Sequence, residues 1–226
     1  MSELTTYNDL EQGTPAWHDV RRGIITASTV GQFITPKTIK PAVNDKTRSM
    51  AYQLVAERIT KFTEPSYTSA DMEDGHIEEP LARDTYSEHY ALASEVGFMV
   101  REFDGFKIGF SPDGVVGEDG IIEIKSRAQK KHLATILSDE VPSENIGQVM
   151  CGLLVSGRDW CDYVSYCGGM RLWVKRVYPD PRWFDAILEA ARSFEESAAS
   201  MIATYHAATV GMPETERPPE VEEMRI

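Results

Sequence analysis

The sequence is poor in cysteine and has no long hydrophobic run. Its three cysteines, Cys151, Cys161 and Cys167, form no CxxC pair, so neither a complete disulfide framework nor a zinc site is expected. No stretch of about 18 apolar residues occurs, which argues against a membrane-spanning helix. The first ten residues are polar, unlike the apolar segment of a signal peptide. We therefore expect a protein of the reducing cytoplasm with no membrane association.

Basic residues are also scarce. There are 23 Lys and Arg against 36 Asp and Glu, and the net charge is −13, which by itself argues against a nucleic-acid partner. The excess of acid is local, however, because residues 61–124 hold 4 basic and 15 acidic side chains, whereas residues 125–182 hold 9 and 6. A DNA-binding face would therefore come from residues 1–60 and 125–182, and the acidic middle block would hold any cation.

The hydrophobic pattern predicts an α/β (α+β) fold in which helices flank a central mixed β-sheet. Helices are expected over residues 26–33, 48–62, 69–90, 128–137, 143–156 and 181–205. Strands are expected over residues 98–103, 106–110, 115–117, 121–125, 160–167 and 171–178, with a hairpin turn at Gly168-Gly169 and a loop over 36–44. The length suits one domain, residues 1–210, followed by a mobile acidic tail, residues 211–226.

The most informative feature is a predicted hairpin that ends at Lys125. A three-residue loop with Gly120 in the left-handed conformation would place Asp113 opposite Lys125. Because strand side chains alternate with a period of two, Asp113, Glu123 and Lys125 would then emerge on one face. A one-residue slip would separate Asp113 from the other two, and the apolar residues on the opposite face argue against such a slip.

This group of side chains suggests a particular chemistry. Two carboxylates within about 5 Å repel each other and raise a pKa, unless a divalent cation lies between them. Oxygen ligands favour Mg²⁺ or Mn²⁺ over zinc, and Lys125 could orient or deprotonate a water, or stabilise a phosphate. Together these are the groups needed to hydrolyse a phosphodiester. The alternative is a surface hairpin with a turn aspartate and a Glu–Lys pair.

The residues also match a known pattern. Pro112-Asp113 followed by Glu123-Ile124-Lys125 fits the PD-(D/E)XK nuclease motif. Further matching motifs occur in the same order: Trp17-His18, Arg21, Gly23 to Ser28, Gly75-x3-Glu79, Ser111-Pro-Asp-Gly114 and Gln148-Val149. From residue 17 to about 178 the chain resembles the phage lambda exonuclease family of YqaJ-like viral recombinases, which implies a restriction-endonuclease-like fold.

The resemblance implies roles for individual residues. It makes Lys125, Asp113 and Glu123 catalytic, and it assigns the binding of Mg²⁺ or Mn²⁺, two ions per site, to Asp113, Glu123, Glu79 and the Ile124 carbonyl. It assigns the terminal 5′ phosphate of the cut strand to four residues: Arg21, Ser28, Ser111 and Gln148. It further implies a 5′→3′ exonuclease that degrades one strand of linear double-stranded DNA, a homotrimer, and a single-strand annealing protein as partner in phage recombination.

Two positions depart from the family pattern. Thr38 stands where the family has a loop arginine, and Asn145 where it has a tyrosine, so the means of strand separation does not follow from the resemblance. One alternative is another PD-(D/E)XK DNA nuclease, of the RecB-like or the CRISPR-associated type; the latter needs four cysteines for an iron–sulfur cluster. The other is a non-catalytic DNA-end binding protein. Histidines such as His132 show no ligand spacing and are expected on the surface.

Overall fold

The computed structural model describes residues 2–64 and 70–217, with only the backbone of residues 70–76. The helices are α1 (Pro15–Arg21), α2 (Asp45–Thr60), α3 (Ala70–His89), α4 (Gln129–Ser138), α5 (Ser143–Ser156) and α6 (Pro181–Ala208). None of these described helices is long and apolar enough to cross a membrane. Of the tail predicted over residues 211–226, the part after Arg217 lies outside the described residues.

The strands are β1 (Glu3–Tyr7), β2 (Ile25–Thr26), β3 (Ile34–Thr35), β4 (Lys40–Pro41), β5 (Ala93–Ser94), β6 (Phe98–Phe103), β7 (Phe106–Phe110), β8 (Gly114–Val116), β9 (Gly120–Ser126), β10 (Trp160–Tyr166) and β11 (Trp173–Val177). They divide between two larger sheets, in the orders β1-β6-β7-β2 and β11-β10-β9-β8-β5, and a small β3–β4 ribbon. Both larger sheets are mixed, because β2 is parallel to β7 and β10 is parallel to β9. The predicted α/β (α+β) class is confirmed, but the strands form two larger mixed sheets rather than the one central sheet expected.

The main hydrophobic core joins both larger sheets to α2, α5 and α6. Helix α5 is apolar through its second half and almost wholly buried there. It lies against β7 so closely that a side chain at Gly152 would come within 2.8 Å of the Phe110 ring. This close approach packs α5 against Phe110, the last residue of β7, and Ser111 and Asp113 follow directly after it.

The β8–β9 hairpin differs from the predicted register by two residues. Val116 pairs with Gly120, and Val115 with Ile121, so the loop is 117–119 and Gly117, at φ +53°, takes the left-handed conformation. Gly120 is needed for space instead, since a Cβ there would lie 2.2 Å from the Trp160 ring. A shift of two residues leaves every side chain on its predicted face.

Several other local predictions were wrong. Residues 26–33 form the end of β2 and a 3₁₀ helix, Val30–Gln32, rather than an α-helix. The loop over 36–44 contains β4, which pairs with β3, and the link between β10 and β11 is longer than the tight Gly168-Gly169 turn. Strand β1 was not predicted, because its five residues are all exposed and lack an alternating apolar pattern.

His132 is buried between α4 and β10, so the surface position expected for it is wrong. Its Nδ1 lies 2.8 Å from Ser165 Oγ, and its Nε2 lies 2.9 Å from the Arg171 carbonyl oxygen. Both ring nitrogens have hydrogen-bond partners, which offset the desolvation cost of burying a polar ring. The residue holds α4 against the sheet that carries the candidate site.

Candidate active site

The β8–β9 hairpin brings together the three residues of the PD-(D/E)XK motif. Asp113 immediately precedes β8, and its Oδ2 accepts a 2.6 Å hydrogen bond from the backbone N–H of Ile124 on β9. Glu123 and Lys125 lie on either side of Ile124, on the opposite face from it. The Lys125 Nζ is 2.6 Å from Glu123 Oε1. The alternation inferred from the sequence therefore does place these groups side by side.

Glu123 is the most deeply buried member of this group, with 1% of its surface exposed. Its contact with Lys125 is an ion pair, and neither carboxylate oxygen has any other polar partner among the described residues. Burial, with the nearby Asp113 charge, raises the pKa of Glu123 to about 7, although Lys125 opposes the rise. An acid in this position needs a positive charge that the protein only partly provides.

The neighbouring groups are shifted in the same sense. Burial raises the pKa of Asp113 to about 7, and the Glu79 carboxylate adds to the effect. Burial alone would lower the pKa of Lys125, but Glu123 and Asp113 outweigh it and raise that pKa above the usual range. Lys125 therefore carries its proton at neutral pH. The site holds three acids around one ammonium group.

Glu79 reaches this group from α3, where Arg83 holds it. Arg83 Nη2 donates a 2.6 Å hydrogen bond to Glu79 Oε1, and its Nε donates one of 2.6 Å to the Asp113 carbonyl oxygen. Arg83 also pairs with Glu95. Burial raises the pKa of Glu79, and the charge of Arg83 opposes that rise. One guanidinium therefore connects the helix acid to the hairpin acid.

A cavity of about 390 Å³ opens beside these acids, and we name it the end pocket. Its walls include Glu79, Asp113, Ile124 and Lys125. They also include all four residues associated above with a terminal phosphate, which come from separate parts of the chain: Arg21, Ser28, Ser111 and Gln148. Of the nine predicted site residues, only the buried Glu123 does not line it.

Arg21 is held in place at the edge of the end pocket. Its guanidinium carbon lies 3.9 Å from the centre of the Trp17 ring, and its Nη2 is 3.4 Å from Ser28 Oγ. Ser28 in turn lies 3.0 Å from the Thr26 hydroxyl. Burial lowers the pKa of Arg21, but an arginine stays charged at any pH of interest. A fixed guanidinium beside two hydroxyl groups is suited to an anion with several oxygens.

Ser111 and Gln148 complete the pocket from the other side. The Ser111 hydroxyl donates to the Gly97 carbonyl at 3.0 Å. The lone pairs of the Ser111 oxygen can therefore accept hydrogen bonds from other groups. Gln148 lies in α5, between the buried neighbours Gly147 and Val149. Gln148 itself is half-buried, and its side chain lines the pocket wall.

The comparisons with known proteins identify the family. The model of the YqaJ-like viral recombinase domain matches residues 16–159. The chain belongs to this family. No curated protein matched this recombinase-family chain.

Among solved structures, the chain is similar to the alkaline exonuclease LHK-Exo from Laribacter hongkongensis, with 27% identity, 88% of this chain and 100% of that chain covered, and a TM-score of 0.78. It shares its fold with a phage-related exonuclease from Haemophilus somnus 129PT, at 12% identity, 80% and 96% coverage, and a TM-score of 0.65. Family membership and the first neighbour support a nuclease of the lambda exonuclease type.

Nucleases of this recombinase family typically use divalent metal ions. Within the part of the chain that the structure describes, no three His, Cys, Asp or Glu side chains converge as a ready ligand group. Glu79 is hydrogen-bonded to Arg83, and Asp113 to the Ile124 N–H. The donor set nevertheless fits a hard cation. It contains carboxylate oxygens of Glu123 without hydrogen bonds and acids with raised pKa values, which a cation would stabilise in the ionised form.

Sequence reasoning missed two residues that shape the site of this recombinase-family chain. Arg83 had a signal, because it follows Glu79 by four residues on one helix face, the spacing of an ion pair. Thr26 falls within the matching motif from Gly23 to Ser28, but it was given no role, because its contact with Ser28 depends on the turn after β2. Neither residue takes part in the PD-(D/E)XK motif. Thr26 itself lines the end pocket, and Arg83 acts through Glu79, which does.

Proposed function

We propose that the chain is a metal-dependent 5′→3′ exonuclease that degrades one strand of linear double-stranded DNA from a phosphorylated 5′ end. A single observation supports this most strongly: one cavity is shared by the acid–lysine group and by the four residues associated with a terminal phosphate. Any nuclease of the superfamily needs the first set. Only an enzyme that starts at a 5′ end needs the second.

The metal-binding residues in this proposal are Asp113, Glu123, Glu79 and the Ile124 carbonyl, which would hold two Mg²⁺ or Mn²⁺ ions. When bound, such ions lower the pKa of a water and offset the charge on the attacking and leaving oxygens. The buried Glu123 contributes a carboxylate that hydrogen bonds do not satisfy. Asp113 contributes one oriented by the Ile124 amide.

Lys125 stabilises charge in this proposal. Its raised pKa keeps the ammonium protonated at neutral pH, so in the state described it donates to a phosphate oxygen rather than accepting a proton from water. Burial of Glu123 beneath it limits how far the ammonium can move. Preorganised charges of this kind reduce reorganisation during the reaction.

The end pocket selects the substrate end. Arg21 offers a planar set of N–H donors, while Ser28, Ser111 and Gln148 offer neutral polar groups. A terminal 5′ phosphate carries about two negative charges near neutral pH, one more than a phosphate within the chain. The pocket therefore favours a terminal phosphate over an internal one and fixes the distance to the scissile bond.

The deciding experiment compares initial rates on matched linear duplexes that end in 5′ phosphate or 5′ hydroxyl, with Mg²⁺ and with EDTA. We expect the phosphorylated end to be preferred by roughly 10- to 100-fold, from a charge-assisted bond of about 1.5–3 kcal/mol. EDTA should abolish cutting. Equal rates on the two ends, or equal cutting of closed circular DNA, would leave a nuclease but remove the end-directed activity.

The assembly and setting of the enzyme are part of the same proposal. Residues 1–210 would act as one nuclease domain, three copies would form a homotrimer, and a single-strand annealing protein of phage recombination would take over the exposed strand in the cytoplasm. A trimer also accommodates the net charge of −13, if basic residues face the DNA and acidic residues face outward. Light scattering of the purified protein tests the stoichiometry directly.

A further inference from the structure

A second cavity adjoins the end pocket at Lys125. It has a volume of about 920 Å³, and Lys125 and Ser126 line both cavities. We name it the basic groove, because Arg127, Lys130 and Lys131 also line it. The order along the surface is therefore end pocket, Lys125, basic groove, and the proposed function uses only the first two.

The charge of the basic groove contrasts with that of the whole chain. Residues 125–131 include four basic side chains and no acidic one, in a protein with a net charge of −13. Lys130 and Lys131 are exposed, and within residues 2–64 and 70–217 neither forms a salt bridge. Glu78 and Glu144 also line the groove. Both are engaged, Glu78 by the Ser126 hydroxyl and Glu144 with Arg127 at 4.0 Å.

Arg127 is built into the wall of the basic groove. Its side chain is only 10% exposed, and its Nη2 donates to Asn145 Oδ1 and, at 2.6 Å, to the Tyr163 hydroxyl. The Tyr163 hydroxyl also donates to Asn145 Oδ1 at 3.0 Å. The buried Nε of Arg127 has no hydrogen-bond partner among the residues described. A positive group is thus held rigidly at the wall of the groove.

We propose that the basic groove binds backbone phosphates of the strand being cut, on the 3′ side of the scissile bond. The proposal rests on the proposed function, which places the terminal 5′ phosphate in the end pocket and the scissile phosphate at Lys125. A strand held in that way continues past Lys125 into the basic groove. Phosphates there meet Arg127, Lys130 and Lys131.

The distances limit which phosphates are involved. Lys130 follows Lys125 by five positions, a stretch that spans at most about 18 Å when extended. Successive nucleotides of one strand in a duplex rise about 3.4 Å. Lys130 therefore meets a phosphate within about five nucleotides of the scissile bond, which is close enough to help position that bond.

Binding measurements test the contribution of the two exposed lysines. We compare Lys130→Gln/Lys131→Gln with Lys61→Gln/Lys107→Gln, which removes the same charge from exposed positions that lie outside the groove and outside residues 1–60 and 125–182. The probe is a 5′-phosphorylated duplex in EDTA, titrated between 50 and 200 mM salt. Loss of two phosphate contacts lowers the log–log salt slope by about 1.4–1.8, so wild type should lose about tenfold more affinity over this range than the groove variant. Equal slopes in all three proteins overturn the proposal.

Crosslinking tests which strand lies in the groove. Lys130→Cys in a Cys167→Ala background places one reactive thiol there, since Cys151 and Cys161 are fully buried. Duplexes carry a thiol-reactive phosphate at one position at a time, on either strand. Crosslinks within about five nucleotides 3′ of the scissile bond on the cut strand support the proposal. Crosslinks on the complementary strand, or none above the Cys167→Ala background, overturn it.

These outcomes are separate from failure of the proposed function. If wild type showed no preference for a 5′ phosphate, the end-directed activity would fail, whatever the groove variant did. If that preference is present, and the groove variant keeps both its affinity and its salt slope, the groove alone fails. The expected pattern is an unchanged 5′-phosphate preference in Lys130→Gln/Lys131→Gln, because the end pocket is intact.

Discussion

The Asp113 carboxylate accepts a 2.6 Å hydrogen bond from the backbone N–H of Ile124. This bond crosses the hairpin between a residue that lies just outside the β-ladder and the centre of β9. It fixes the position of Asp113 relative to Glu123 and Lys125, whose side chains flank Ile124. The arrangement of the proposed metal site therefore depends on a contact between a side chain and the backbone, in addition to strand pairing.

Replacing Asp113 should abolish cutting while the fold is kept. Asp113→Asn retains an oxygen that can accept the Ile124 hydrogen bond but loses the charge that would hold a cation. We expect the single-turnover rate in Mg²⁺ to fall by about 10²–10⁴-fold or more. Weaker Mn²⁺ binding in calorimetry provides a readout independent of activity. A variant with near-wild-type rate and Mn²⁺ affinity would rule out the assignment.

Stability without metal should fall as the pH rises from about 4 to about 7. The pKa of Asp113 and of Glu123 is about 7 in the folded protein, against roughly 4 in an unfolded chain. The folded state therefore binds more protons in this window, and the free energy of unfolding should decrease by a few kcal/mol, taking about 1.4 kcal/mol per pKa unit. Urea unfolding in EDTA at several pH values measures it.

The Asp113→Asn/Glu123→Gln variant is the control for this pH dependence. It cannot ionise at either position, so its stability should change less over the same pH window. Added Mg²⁺ should raise the melting temperature of wild type at pH 7.5 and leave that of the variant unchanged. Identical pH profiles for the two proteins would mean that these carboxyl groups are not shifted.

Lys125→Ala should reduce the rate much more than it reduces DNA affinity. The ammonium is expected to stabilise charge on the phosphate during cutting, an effect of about 10²–10⁴-fold. Lys107→Ala, an exposed lysine on β7, removes the same charge elsewhere and should keep full activity. Single-turnover rates and binding constants distinguish the two roles. Lost affinity with an unchanged rate would make Lys125 a phosphate contact only.

Arg21→Ala should remove most of the preference for a 5′ phosphate. The loss of one charge-assisted bond reduces the ratio of rates on 5′-phosphate and 5′-hydroxyl ends by roughly 10- to 100-fold. Mn²⁺ affinity should not change, because the contacts of Arg21 are with Ser28 and Trp17 and not with the acids. Arg48→Ala, on the exposed face of α2, is the matched control. An unaltered ratio in Arg21→Ala would place the terminal phosphate elsewhere.

Arg83 should act as a positioning residue for Glu79. Without its charge the pKa of Glu79 rises further, because Arg83 now opposes the effect of burial. The acid limb of the pH–rate profile should therefore move to higher pH in Arg83→Gln, with activity recovering as the pH is raised. Arg83→Lys keeps the charge and should restore part of the wild-type profile. A uniform loss at all pH values would indicate a structural role alone.

The sequence by itself determined which side chains share a face at the candidate site. The period of two along a strand puts Asp113, Glu123 and Lys125 on one side, and the two-residue error in the predicted register did not disturb this, because an even shift preserves the faces. The carboxylate residues that would bind a cation could likewise be identified from the sequence alone. Helices α2, α5 and α6 followed from their apolar spacing to within three residues at each end.

Only the tertiary structure decided what each group contacts. Burial of Glu123 without hydrogen bonds, the bridge from Arg83 to Asp113 and Glu79, and the burial of His132 all depend on packing between elements distant in sequence. So does the meeting of Arg21, Ser28, Ser111 and Gln148 around one cavity. The local sequence pattern predicts which way a side chain points, because backbone geometry is local. The environment and the pKa of that side chain depend on partners that only folding brings near.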